Sequence, residues 1–211
     1  DAGGITNVIS YVTIDTPANA VDFGDLTASR RTLSAVNTDT RGIFAGGYTT
    51  SNSNIIDYVT TSTLGNAIYF GDLVTARLGL TGVHSETRGV FVGGASNVTM
   101  IDYVTMATLG SATTFGSEYT WVYGGGGVSS KTRGVVGGGY SGSNSNIIQY
   151  ITFATTSNSI DFGDLDAGGR QNVGGVDNFT RGVFAGGSGS NIMEYITIDT
   201  LSNTTDFGDL T

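Results

Sequence analysis

Short stretches rich in Ile, Val, Thr and Tyr, with partial alternation of apolar and polar positions, recur along the chain at residues 8–14, 55–60, 100–106, 147–153 and 192–198. Each is a few residues long and rich in β-branched side chains, which predicts a packed strand. Each also holds one tyrosine (Tyr11, Tyr58, Tyr103, Tyr150 or Tyr195), and a phenylalanine follows 12 residues later (Phe23, Phe70, Phe115, Phe162 or Phe207). Successive tyrosines are 47, 45, 47 and 45 residues apart. One supersecondary unit is therefore written about five times, and shared positions are expected to be scaffold.

The rest of the unit repeats with the same regularity. Thr-Arg-Gly at Thr40, Thr87, Thr132 and Thr180 leads, seven residues on, to the second glycine of a pair, Gly47, Gly94, Gly139 or Gly187. The step from Phe to the next Thr is 17, 17, 17 and 18 residues, while the step from glycine pair to Tyr varies as 11, 9, 11 and 8. Segments of fixed length predict strands and tight turns, and the variable one predicts a surface loop. Four strands per unit are expected: a first at 32–36, 78–83, 121–128 or 171–176, a second after Thr-Arg-Gly, a third around the Tyr, and a fourth around Phe-Gly-Asp-Leu. Glycines interrupt any helical period. A 45–48-residue repeat of four short strands predicts an all-β protein, a β-propeller of about five blades in a single domain. The units run 1–26, 27–73, 74–118, 119–165 and 166–211, the first being a half-blade that has third and fourth strands and only a remnant, residues 1–4, of the second. This count predicts either a piece of a longer chain or a five-bladed ring with one incomplete blade, whose bare edge invites pairing with another chain.

The order of Arg, small or apolar strand, Gly-Gly, Tyr and a later aromatic resembles the kelch repeat, with Phe where kelch repeats carry Trp. The phrasing TRGVFAGG, then NIIDYVTIDT-like and DFGDLT segments, also resembles repeat proteins of marine tailed phages. The first resemblance implies a propeller, and the second implies a virion or fibre-associated setting. Neither implies a molecular activity, because propellers host many.

Charge narrows the partners. With 18 acidic residues against nine Lys and Arg, the net charge is −9, which disfavours nucleic-acid binding by phosphate neutralisation. There is no Cys, and so no disulfide or thiolate site. No apolar run approaches the roughly 18 residues of a membrane span, so no membrane insertion is expected. An extracellular or virion location is expected. His84 is the only histidine and reads as structural. A catalytic triad would depend on it without a nucleophile elbow, so no enzyme chemistry and no cofactor are expected. The recurring Asp25, Asp72, Asp164 and Asp209 raise the possibility of calcium, which needs six to eight oxygens. A turn, or a pair with Arg41, Arg88, Arg133 or Arg181, is the preferred reading. The five tyrosines are expected to be largely buried.

The informative differences lie at one end of the blades, where the second-to-third loops (48–54, 95–98, 140–146 and 188–191) and the links between units emerge together. The loops are rich in Ser, Asn and Gly. Tyr48 and Tyr140 follow the glycine pair only in the two long-loop units, and Trp121 occurs once. Aromatic faces cover sugar C–H surfaces, and amides give directional hydrogen bonds. Tyr48, Tyr140 and Trp121 are the expected anchors for a host-surface glycan or protein. Asn52, Asn54, Asn144 and Asn146 form the expected rim, with Arg30 and Arg77 for an acidic ligand. The competing expectation is a structural role, a decoration or filament subunit joining other copies or virion proteins through the incomplete blade.

Overall fold

The computed structural model describes residues 4–95 and 99–211. Its regular elements are all β-strands. Strands β1 (Thr6–Tyr11) and β2 (Val21–Arg30) make a two-stranded half-blade. Blade one is β3 (Ser34–Asn37), β4 (Arg41–Ala45), β5 (Ile55–Thr60) and β6 (Ile68–Asp72). Blade two is β7 (Thr81–His84), β8 (Arg88–Val92), β9 (Met100–Thr105) and β10 (Thr113–Ser117). Blade three is β11 (Gly126–Ser129), β12 (Arg133–Gly137), β13 (Ile147–Thr152) and β14 (Ile160–Asp164). Blade four is β15 (Gly174–Asp177), β16 (Arg181–Ala185), β17 (Ile192–Thr197) and β18 (Thr205–Asp209). Each four-stranded sheet is an antiparallel meander in chain order, so the expected all-β, blade-like architecture is present.

The third strand of each blade matches its expected span most closely, as β5 does in full. The first strands begin later than expected, and Trp121 lies outside any strand. Residues 121–125 instead belong to the link from the previous blade, where Gly124 and Gly125 sit. Of the loop expected at 95–98, only Ala95 is described, and of the second-strand remnant only Gly4.

Faces that meet a neighbouring blade are buried against it. Ile56, Phe70 and Leu73 of blade one pack with Leu80, Phe91, Val104 and Met106 of blade two. Val83, Val90 and Phe115 of blade two meet Val136, Ile151 and Phe153 of blade three. Val128, Val135 and Phe162 of blade three meet Phe184, Ile196 and Ile198 of blade four. The core is therefore a series of interblade layers. Burial of this apolar surface contributes on the order of 25 cal/mol per Å².

Strands β3, β7, β11 and β15 are innermost, and all four line one cavity of about 440 Å³. Gly82, Gly127 and Gly175 lie there, and a Cβ at any of them would run into the main chain of the preceding inner strand at Ala35, Gly82 or Gly127 respectively. Main-chain bonds also pass from link to link: Gly79 N–H donates to Thr32 O, Gly124 N–H to Gly79 O and Asn172 N–H to Gly124 O (2.7–2.9 Å). The two ends of this arc are bare. Val176 and Phe207 of blade four are 65% and 50% exposed, against 3% or less for Val36, Val83, Phe70 and Phe162 at equivalent positions.

The repeated tyrosines are half-buried rather than largely buried, and Tyr11 is 39% exposed. Each ring meets the Phe of its own unit edge-on at 5.8–6.0 Å. In the four complete blades the Thr-Arg-Gly arginine of the same blade lies over the tyrosine ring at 4.4–4.9 Å, a cation–π contact. The expected pairing of those arginines with the Phe-Gly-Asp aspartates does not occur. Arg41, Arg88 and Arg133 instead donate to a main-chain carbonyl of the next blade.

Candidate functional site

Interblade links and second-to-third loops do emerge on one face, held together by main-chain pairing. Arg31 and Tyr48 exchange N–H···O bonds of 3.1 and 2.9 Å, and Tyr123 and Tyr140 do the same. Each long loop then folds back so that Asn52 bridges to Tyr48 and Asn144 to Tyr140. Ser51 O accepts from Thr49 N–H, and Ser143 O from Ser141 N–H. The two long loops are therefore the same built object on blades one and three.

Arg30 and Arg77 do not belong to this surface. They are 2% and 0% exposed, and their guanidinium groups pair with Asp57 and Asp102 at 2.6 and 2.7 Å. Arg30 also donates to the carbonyls of Gly46 and Ile55, and Arg77 to those of Phe91 and Gly93. Arg170 forms the same pair with Glu194. Each link arginine pins the ends of the second and third strands that follow it. The expectation of a basic contact for an acidic ligand is corrected, because both guanidinium groups are buried and bound to a carboxylate and carbonyls, out of a ligand's reach. Burial holds the Arg30 guanidinium below its ordinary range, with Asp57 acting against that shift.

The link into blade three departs from this plan. Val122 stands in place of the arginine and Gln149 in place of the acid. The Gln149 amide accepts from Tyr119 N–H and Ser159 Oγ and donates to Thr120 O. A neutral amide replaces a charge where the countercharge is absent, as burial requires. Glu118 occupies the position that Leu26, Leu73, Leu165 and Leu210 hold elsewhere. It is 7% exposed, and one carboxyl oxygen accepts from Val122 N–H while the other has no partner. Burial pushes its carboxyl up to about 9, against the opposing Val122 bond and the Arg77 charge, so the group is protonated at neutral pH.

This irregular link carries the aromatics. Trp121 donates its indole N–H to Gly94 O at 2.6 Å, which fixes the ring. Tyr140 meets it edge-to-face at 6.3 Å, and Tyr119, two residues before Trp121 on the same link, is 59% exposed. The exposed Asn144 donates to Ser188 Oγ of the neighbouring blade at 3.0 Å, and Asn146 is also exposed. Of the expected anchors, Trp121 and Tyr140 come together. Tyr48, half-buried under the Arg31 guanidinium at 5.1 Å, lies on blade one with Asn52 and Asn54, and blade two stands between.

The cavity between the inner strands was not anticipated as a site. Asn37, His84, Ser129 and Asp177 take equivalent positions on the inner strands and face it, with Phe179 beside His84 at 6.4 Å. The signal was a polar residue two after each inner Gly or Ala. Several of these groups are already engaged in holding the inner strands together: Ser129 Oγ accepts from His84 N–H, and Asp177 accepts from Ser129 and Phe179 N–H. Burial holds the His84 imidazole below its ordinary value, with Asp177 opposing. No protein-family model matches the chain, and a search of curated proteins finds no significant relative.

Proposed function

We propose that the chain is a non-catalytic recognition module. Its blades wheel about the axial cavity as a β-propeller, and its loop face holds a neutral, polyhydroxylated ligand such as a host-surface glycan. The observation that carries this reading is the pairing of Trp121 with Tyr140, on a link that also holds the exposed Tyr119 and a loop that also holds the exposed Asn144 and Asn146. These are rigid aromatic faces next to amides, on the one link that breaks the repeat. With Arg30 and Arg77 committed to Asp57 and Asp102, the face favours an uncharged ligand over an acidic one. The phage-like phrasing of the repeats suits display on a virion or fibre, where many copies turn modest single-site affinity into avidity. A multimerised form of the chain is expected to bind a subset of neutral glycans on an array. Tyr140→Ala, at a partly exposed site, is expected to weaken that binding about tenfold, the scale of one aromatic contact. Failure of the multimer to bind any glycan or host cell would overturn the reading.

A further inference from the structure

The interface between consecutive blades is built to one plan, and its two halves are left bare at opposite ends of the arc. On the leading side of a blade, the Thr-Arg-Gly arginine donates to the carbonyl three residues after the repeated tyrosine of the following blade. Arg41 meets Met106 O at 2.7 Å, Arg88 meets Phe153 O, and Arg133 meets Ile198 O at 3.4 Å. The N–H following Phe-Gly bonds a side chain of the next unit: Asp25 to Asn66, Asp72 to Ser111, Ser117 to Asn158 and Asp164 to Asn203 (3.0–3.2 Å). The carbonyl of that same residue accepts from Ala67, Ala112, Ser159 and Thr204 (2.7–3.0 Å).

Blade four offers the leading set without a taker. Arg181 is exposed and lies over Tyr195, Asp209 is exposed, and Phe207 and Val176 are largely open. The half-blade offers the answering set. By position, Ile14 O corresponds to the carbonyls of Met106, Phe153 and Ile198, Asn19 to Asn66 and Asn203, and Ala20 N–H to Ala67 and Thr204. All three residues are exposed.

The side chains sharpen the match. Met106, Phe153 and Ile198 are at most 3% exposed, each lying behind a four-stranded blade. The equivalent in blade one, which lies behind only the half-blade, is the exposed Thr61. Ile14 follows the first group in character, yet it is 94% exposed. An isoleucine there fits a position that meets a complete blade. On the inner rim, Ala35 carries a methyl group where Gly82, Gly127 and Gly175 cannot. That residue suits a junction at which no further inner strand presses on β3, as when the neighbour of β3 is a half-blade.

We propose that copies of this chain join head to tail, the half-blade of one seated on the bare face of β15–β18 of another. Arg181 donates to Ile14 O across the junction, Asp209 N–H to the Asn19 side chain, and Ala20 N–H to Asp209 O. Phe207 and Val176 close over Val12 and Ile14. The contact is heterologous, so it leaves one free face of each kind at the ends of any open assembly and runs on unless the rotation closes a ring.

Sedimentation velocity over a concentration series tests this, using the unmodified chain, Phe207→Asp and Ile14→Asp. Both sites are open to solvent, so each variant is expected to keep the parent's thermal melt. The parent is expected to associate as concentration rises, and each variant alone is expected to lose at least tenfold in association constant. An equimolar mixture of the two variants retains one intact face of each kind, and it is expected to form pairs and stop there. A parent that stays monomeric, whether through closure of its own half-blade onto blade four or for want of any contact, overturns the proposal. So does association that both substitutions leave intact, or a mixture that forms no pairs.

Discussion

Glu118 is a carboxyl placed where its four counterparts are leucines, and its environment keeps it uncharged. In the unfolded chain it ionises near 4.5, whereas in the fold it holds its proton to about 9. The folded state therefore binds the extra proton between those values. Its stability is greatest below the lower value and is lost as pH rises toward the upper one, at about 1.4 kcal/mol per pH unit where only the unfolded form is ionised. Between pH 7 and 8.5 the melting temperature of the protein should fall. Glu118→Leu is expected to flatten that slope and raise stability, and Glu118→Gln to flatten it while keeping a polar group. His84 acts in the opposite sense and at lower pH. Its depressed value means that acid charges it more readily in the unfolded chain, so stability is lost below about 6.5. A melt that is level from pH 7 to 8.5 would show Glu118 to be ionised in the fold.

At the scale of the element, the link arginines fasten one strand pair after another. Removing one partner of a buried ion pair typically costs about 3–5 kcal/mol, because the other charge is stranded. Arg77→Ala, which abandons Asp102 in a site with no solvent access, is expected to fall in that range by chemical denaturation. Loss under 1 kcal/mol would mean that water reaches Asp102. The strands were legible in the sequence where side chains alternate, as in β5, and blurred where glycine leaves no pattern, as in β11 and β15. The arginine pins are written in the repeat only as a correlation between two positions. Arg30, Arg77 and Arg170 lie 17 residues before the second glycine of their pairs, an acid precedes the repeated tyrosine in the same three units, and both are missing together at Val122 and Gln149. Read singly, an arginine in a polar link looks like a surface contact. Only its absence in step with the acid reveals a partner. Trp121 and Tyr140 stood out by rarity and loop position, but their contact, like the separation of Tyr48, depends on which blades lie side by side, which spacing along the chain does not encode.

The molecule as a whole is a row of units that each rest on their neighbours, so its stability is the sum of units and shared layers. Blades two and three are covered on both sides, and the half-blade and blade four on one. Amide hydrogen exchange at low concentration should therefore be fastest in β1, β2, β17 and β18 and slowest in β8, β9, β12 and β13. Uniform protection across all the blades would argue for a closed, fully cooperative unit.

The inner glycines bear on how such a shape persists while its sequence drifts. At Gly82, Gly127 and Gly175 the spacing of adjacent blades is set by main chain resting against main chain. The wedge angle of each sector, and with it the curvature of the array, is then independent of which side chains decorate the rest of the sheet. Loops can lengthen, an acid can take a leucine's place, and one link can exchange charge for amide, all without altering the arc. A single methyl at any of these three contacts would open its sector, and every later blade would inherit the error.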